Sequence, residues 1–354
     1  MPKAIVMLET PGKPGEKYWP LQTIEVPFPK PAPEEVVVKI SCASLNHRDL
    51  FARQGLYRGA AAGVPIMADG VGVVVAGGSE EIQKQWQGKR VLLAPARGWQ
   101  NDPSGPESDF AILGGTAKLK NGCCQEYIAV PSSEIELCPA HLSDQEAAAI
   151  PLAALTAWRA TIVKAGVQAG HNVLITGIGG GVALFCLQFS LAQGATVFVS
   201  SGSEDKIARA KALGATGGVN YKNPQWDQQL RAILPSERSF LDTVIDGAGG
   251  DIVTRSLSML KAGGIISSYG MTLGPKVTFT MPAVMKNIEL RGSTMGSRQE
   301  FKELVGFITD KKIRPVVDSI HSLSQVEDAF NLMRRGKNFG KIVIQVKGHG
   351  TSNL

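Results

Sequence analysis

Long apolar runs are missing from this chain. Nowhere do about 18 apolar residues follow one another, which excludes an ordinary membrane-spanning helix. The opening MPKAIVMLETPGKPGEKYW lacks a basic-then-apolar leader, so a secreted product is not expected. Cysteine is sparse: Cys42, Cys123, Cys124, Cys138 and Cys186 are odd in number and scattered, and the adjacent pair fits neither zinc-finger nor redox spacing. That usage suits a reducing compartment, and the cytoplasm is the expected location. Blocks of Lys and Arg are also missing, so nucleic acid is not an expected partner. The net charge of +6 is mild, enough to favour an anionic cofactor or simply to aid solubility.

What remains is an ordinary globular composition over 354 residues, long for one core and better suited to two domains. Residues 1–145 read as β-rich. Runs at 4–8, 35–40, 71–75, 91–94 and 125–130 are separated by Pro and Gly. PFPKPAP at 27–33 is a stiff connector that cannot join a central ladder, and 97–121 reads as a long surface loop or lobe. From about 146 the rhythm becomes strand, helix, strand. A helical EAAAIPLAALTAWRATIVKA, kinked or bounded at Pro151, precedes apolar runs at 173–177, 196–200, 217–221, 242–246, 264–269 and 288–293. Helical stretches at 182–193, 204–213, 224–234 and 251–260 lie between most of them. This alternation predicts an α/β fold with a doubly wound parallel sheet of two mononucleotide-binding halves. The tail from about 297 (helical FKELVGFITDKK and AFNLMRRGK, strand KIVIQV) is expected to return to the first domain. The expected domains are therefore 1–145 with 297–354, and an inserted 146–296. No internal repeat is visible beyond the alternation itself.

The stretch VLITGIGGGVAL at 173–184 places glycines where a strand gives way to a helix. Backbone N–H groups and the helix dipole at such a point receive a pyrophosphate, and a side chain would hold it away. Gly177, Gly180, Gly181 and Val182 are the candidate contacts, with Gly179 completing the turn. About 20 residues on, a cofactor without a 2′-phosphate usually meets Asp or Glu on its ribose. Here the next strand ends in Ser200-Ser201-Gly202-Ser203, followed by Lys206. Two hydroxyls and an ammonium suit a phosphate that a carboxylate would repel. NADPH/NADP⁺ is the expected cofactor, with Tyr221 near the adenine end and Arg209 either adding to the field or lying on a solvated helix face. Ser200 and Ser201 can also serve as helix caps.

Taken in order, SCASLNHRDLFARQGLY (41–57), PIMADGVGVVVAGG (65–78), GCCQEYIAVP (122–131), LTAW (155–158), TGIGGGVAL (176–184), KALGATGGVNY (211–221), VIDGAGG (244–250) and FGKIVI (339–344) resemble the medium-chain dehydrogenase/reductase superfamily, and within it the zinc-free quinone oxidoreductase-like branch. The resemblance runs through essentially the whole chain. It implies a GroES-like β-rich catalytic domain beside the Rossmann domain, and a homodimer formed through the edge of the nucleotide-domain sheet. It also implies that Thr156, Gly270, Met271, Met295 and Lys341 approach the cofactor. Where zinc-dependent relatives carry metal ligands, this chain has Asn46, Ala68 and Leu152, and 97–121 lacks their four structural cysteines. No metal is expected, because a catalytic zinc needs three protein ligands. Asn46 and Asp49 match the branch motif, Phe51 replaces its usual tyrosine, and Ala183 stands where glycine is common.

Without a metal to polarise an alcohol or carbonyl, hydride transfer needs good positioning and an acceptor that is already electrophilic. A quinone or an α,β-unsaturated carbonyl meets that need. Asn46 is the candidate for orienting the substrate or the nicotinamide. His47, Asp49 and Asp69 are candidate proton donors or orienters; each has a plainer reading as a surface histidine, a capping carboxylate and a turn residue, respectively. His141, His171, His321 and His349 lie in segments without catalytic context. Two alternatives stay open: a reductase or dehydrogenase of another carbonyl or alcohol, such as a biosynthetic tailoring enzyme, and a non-catalytic NADPH-binding protein.

Overall fold

The computed structural model describes residues 1–274 and 276–346, so His349 lies outside the described residues. The chain divides into two compact units, Met1–Ala153 with Ser297–Leu354, and Ala154–Gly296.

The second unit holds a six-stranded sheet. Its strands are β1 (Asn172–Ile175), β2 (Thr196–Ser201), β3 (Gly217–Asn220), β4 (Leu241–Asp246), β5 (Leu260–Ser268) and β6 (Glu289–Gly292). All neighbours run parallel, in the order β3-β2-β1-β4-β5-β6. β1 and β4 are buried along their whole length, as apolar strands covered on both faces must be. Helix α1 (Gly181–Ala192) is apolar on nearly every side and sinks into the unit, while α2 (Glu204–Ala212) buries only Ile207 and Ala210. Strand order reverses between β1 and β4, and in such sheets ligands bind beyond the carboxyl ends at that reversal.

One helix is shorter than its sequence suggests. The turn of helix Ile252–Ser256 spans five residues, where the apolar pattern suggested 251–260. β5 already begins at Leu260, and its pairing slips from Leu241↔Leu260 to Thr243↔Ile265. Gly263, with φ +70°, lets the chain bulge there, a backbone turn that side-chain periodicity does not encode.

The first unit is built on a seven-stranded sheet. Its path runs Val317–Ser322, Lys341–Gln345, Glu35–Ser44, Asp69–Gly77, Arg90–Leu93 and Ile135–Leu137, with Tyr127–Pro131 also pairing onto Glu35–Ser44. The tail strand lies antiparallel to the strand that leads to Asn46, matching Val343 with Ser44. This register carries Lys341 to the Asn46 corner. Among the strands that escape a sequence reading, Leu21–Glu25 is largely exposed, Val317–Ser322 shows no clean alternation, and Ile135–Leu137 is only three residues long. Arg53, fully buried, ties helix His47–Arg53 to the tail helix Val326–Arg334. It stacks 4.0 Å from Tyr18 and 4.6 Å from Phe330 and pairs with Glu327 at 2.8 Å.

The lobe at 97–121 contains one short antiparallel pair, Ala96–Arg97 with Ala111–Ile112. The Glu107 carboxylate accepts the main-chain N–H groups of Gln100, Asn101 and Asp102, each at 2.7 Å. These bonds, from Asn101 first, hold its pKa down at about 2. Among the described residues, no helix is long and apolar enough to cross a membrane.

Candidate functional site

In the second unit, the chain leaves β1 through Thr176, whose hydroxyl donates to Asp246 at the end of β4 (2.6 Å). Asp246 also accepts the N–H groups of Ala248 and Gly249, and burial raises its pKa against those bonds. β1 and β4 are thus fastened together at the strand reversal. Gly177 (φ +64°) and Gly179 (φ +113°) have backbone turns that L side chains rarely adopt. Gly180 is different. Its φ of −76° suits any residue, and a Cβ there would find nothing nearer than the Gly177 carbonyl oxygen at 3.8 Å. Gly180 is the N-cap of α1 and offers no capping side chain. The space and the helix N-terminus together form a cradle that a side chain would fill and a diphosphate fits.

The other nucleotide-side candidates fall into groups. Ser200 and Ser201 end β2, both buried. Neither caps α2; Ser203 does, accepting the Lys206 N–H, while the Ser201 hydroxyl accepts the Ser203 N–H. Lys206 lies across Gly179, whose added Cβ would sit 2.7 Å from Lys206 Cδ. Tyr221, half-exposed, lies over Gly202. Arg209, on α2, is exposed. Thr156 donates to the Met295 sulfur at 3.7 Å, and Met295 is a rare non-glycine with positive φ (+45°). Gly270 faces Gly247, and Met271 packs on Gly249.

A second group belongs to the first unit. Asp69 is wholly buried and accepts four donors. Ser44 Oγ (2.8 Å), Asn46 Nδ2 (2.8 Å) and Lys341 Nζ (2.9 Å) reach one oxygen, and the Leu152 N–H (2.7 Å) reaches the other. Lys341 Nζ also donates to Asn46 Oδ1 (2.7 Å) and to the Leu45 carbonyl (2.7 Å). All three donors of the ammonium are therefore used. Asn46, Asp69 and Lys341 form a closed triangle, which fixes the Asn46 amide. Turned over, it would set NH₂ against the ammonium and C=O against the carboxylate. Asp49 accepts the Asn46 N–H at 2.8 Å and pairs with Arg48 at 3.1 Å, and burial pushes its carboxyl above the usual range. His47 stands apart from the triangle, edge-on to Phe51 at 5.1 Å, and crowding by its neighbours lowers its pKa.

Sequence reasoning placed Lys341 among the cofactor contacts; the structure places its ammonium inside the triangle. It missed Ser44, Thr176 and Asp246. Polar residues at the ends of buried strands, such as the Asp of LDTVID, were the available signal.

Comparison with known proteins agrees with this architecture. The family described as zinc-binding dehydrogenase matches residues 181–310, and the alcohol dehydrogenase GroES-like domain matches 32–140. The zinc-type alcohol dehydrogenase-like protein YogA of Leptosphaeria maculans is 46% identical, covering 98% of this chain and 100% of its own length. The chain belongs to the medium-chain dehydrogenase/reductase superfamily. Its fold is the superfamily's GroES-like domain with a Rossmann domain. A Schizosaccharomyces pombe relative, zinc-type alcohol dehydrogenase-like protein C1773.06c, is 35% identical over 89% of this chain and 91% of its own. A crystal structure of an NAD-dependent alcohol dehydrogenase superposes with a TM-score of 0.84 at 32% identity, covering 98% of this chain and 100% of that one.

The zinc in those names can be tested on residues. By resemblance, the superfamily's ligand positions are Asn46, Ala68 and Leu152 here, and two of these have apolar side chains. Asn46 is engaged by Lys341 and Asp69. Cys123 is buried and donates to the Ala68 carbonyl. Among the described residues, no group of three or more His, Cys, Asp or Glu side chains could hold a metal. These three positions do not supply the donors a catalytic zinc takes.

Proposed function

We propose that this protein is an NADP(H)-dependent, metal-independent oxidoreductase that reduces a quinone or an α,β-unsaturated carbonyl compound. The observation that carries the reading is the triangle at Asp69. A lysine ammonium already supplies the positive charge, and its partners are consumed in holding it. With no Lewis acid among the fitting groups, the substrate must bring its own electrophilicity, as conjugated carbonyls do. When bound, the reduced nicotinamide supplies the hydride. The glycine turn and the start of α1 hold the diphosphate, Ser200 and Ser201 face the 2′-phosphate, and Tyr221 packs near the adenine. Thr156, Gly270, Met271 and Met295 shape the nicotinamide end. Asn46 presents an amide of fixed polarity to its ligand. Asp49 is better read as the partner of the Asn46 N–H and Arg48, and Asp69 as the triangle's counter-ion, than as proton donors.

Metal-free conversion of an alcohol–carbonyl pair is the second reading, favoured by the alcohol dehydrogenase names of the relatives. NADPH oxidation with a panel of quinones and enones, with and without a chelator, decides the matter. Chelator-insensitive turnover of that panel supports the proposal. Oxidation of alcohols with NADP⁺ alone moves the assignment to the second reading, and no turnover of either set leaves a non-catalytic nucleotide-binding protein.

We also propose a homodimer joined at the β6 edge. Met281, Val284, Met285 and Leu290 are exposed there, an apolar face unusual for a monomer's surface. Light scattering should give twice the chain mass; a monomer at micromolar concentration would end this proposal. The five free cysteines, four of them buried, support a cytoplasmic setting.

A further inference from the structure

Arg48 follows close behind Asn46, yet its side chain is buried and turned towards the backbone of another segment. Nη1 donates to the Leu113 carbonyl (2.9 Å) and to Asp49 (3.1 Å), and Nη2 donates to the Gly114 carbonyl (2.9 Å). The guanidinium also lies 4.5 Å from the centre of the Tyr57 ring. Two carbonyls, a carboxylate and an aromatic face suit a planar fork, whereas the compact ammonium of a lysine cannot meet all four.

The segment that Arg48 grips is itself fixed. Leu113, Gly114 and Gly115 donate their N–H groups to the carbonyls of Pro95 (3.0 Å), Asn121 (2.8 Å) and Pro65 (2.9 Å). Gly114, with φ +87°, packs so closely on the Met67 backbone that no Cβ would fit between them. Met67 leads into the strand that begins at Asp69, so this strap is locked to the carboxylate of the triangle. The loop at 57–61 joins the same strap: the Ala61 N–H donates to the Gly115 carbonyl (2.9 Å), and the Ala117 N–H to the Gly59 carbonyl (3.0 Å). Arg48 therefore ties the helix His47–Arg53 to a fixed reference. At the start of that helix Asp49 accepts the Asn46 N–H, while the Asn46 amide is held by Lys341 and Asp69.

We infer that Arg48 is a positioning residue, which acts through Asp49 and the helix start to keep the Asn46 amide aligned with its ligand, with the Tyr57 ring as a brace. The inference rests on the role given to Asn46 above and deepens it. Steady-state kinetics of the full chain with NADPH and menadione, beside fluorescence titration of NADPH, test it. Arg48→Lys keeps the charge and loses the fork; it should lower kcat about tenfold or more and leave NADPH affinity within about twofold. Tyr57→Phe keeps the ring and should match wild type, whereas Tyr57→Leu should lower kcat about threefold. In an Asn46→Ala background, Arg48→Lys should change kcat by less than about twofold, because its effect passes through Asn46. Wild-type kcat in Arg48→Lys overturns the inference, as do equal losses with and without Asn46. Should Arg48→Lys fail to fold, the Tyr57 pair decides: wild-type kcat in Tyr57→Leu, or equal impairment of both Tyr57 variants, overturns it. A wild-type protein that reduces neither menadione nor the rest of the quinone and enone panel removes the functional reading and this inference with it. Wild-type turnover that survives Arg48→Lys removes only this inference.

Discussion

At the turn after β1, the chain leaves room and donors unfilled: Gly180 has unstrained angles and open space above it, and α1 begins without a side-chain cap. Around Asp69 the reverse holds. Four donors converge on one carboxylate, and the ammonium among them spends every hydrogen inside the protein. The first arrangement is completed by something that comes and goes. The second is complete as folded. Incomplete hydrogen bonding at a shaped surface therefore marks where a ligand is awaited, whereas complete hydrogen bonding in a buried cluster marks a fixed electrostatic setting.

The largest expected effect comes from opening the closed cluster. Lys341→Met leaves a buried carboxylate without its counter-ion and should cost about 3–5 kcal/mol in urea unfolding. Removing both charges in Asp69→Asn/Lys341→Met should recover most of that loss. A single variant as stable as wild type would show that the cluster is not closed in solution. Filling the open turn should do the opposite: Gly180→Val leaves unfolding free energy almost unchanged but weakens NADPH binding roughly 100-fold, by keeping the diphosphate from several N–H groups. Equal binding by the variant would mean that the phosphates rest elsewhere.

The smallest effect concerns the lobe. Glu107 has a lowered folded pKa, so its contribution is present above the unfolded value of 4.5 and is lost as pH falls towards about 2. Hydrogen exchange of Gln100–Asp102 should therefore be faster in Glu107→Gln than in wild type at pH 6. The two should converge only as pH falls through about 2, and a difference that does not depend on pH would assign the effect to packing.

The sequence made the turn after β1 easy to read and the Asp69 cluster hard, for a physical reason. A strand, a glycine turn and a helix are neighbours along the chain, so periodicity and composition report them directly. Lys341 and Asp69 are 272 residues apart, and only the antiparallel register of Val343 with Ser44 brings them together. Lys341 was therefore associated with the nucleotide by resemblance, while its partners within the protein went unseen. Capping was legible as a residue type and not as a position: three serines stand near the start of α2, and Ser203 is the one with the cap geometry. The slip in β5 stayed invisible because a bulge depends on one glycine's φ, which no pattern of apolar residues records.

The late arrival of Lys341 also bears on how the protein is made. Its strand is the last one described, yet it pairs with the strand Glu35–Ser44, so a nascent chain emerging from the ribosome holds Asp69 without its counter-ion until Lys341 has followed it out. Chains arrested just short of Lys341 should remain cleavable by protease across 35–77, and chains that include Lys341–Gln345 should resist.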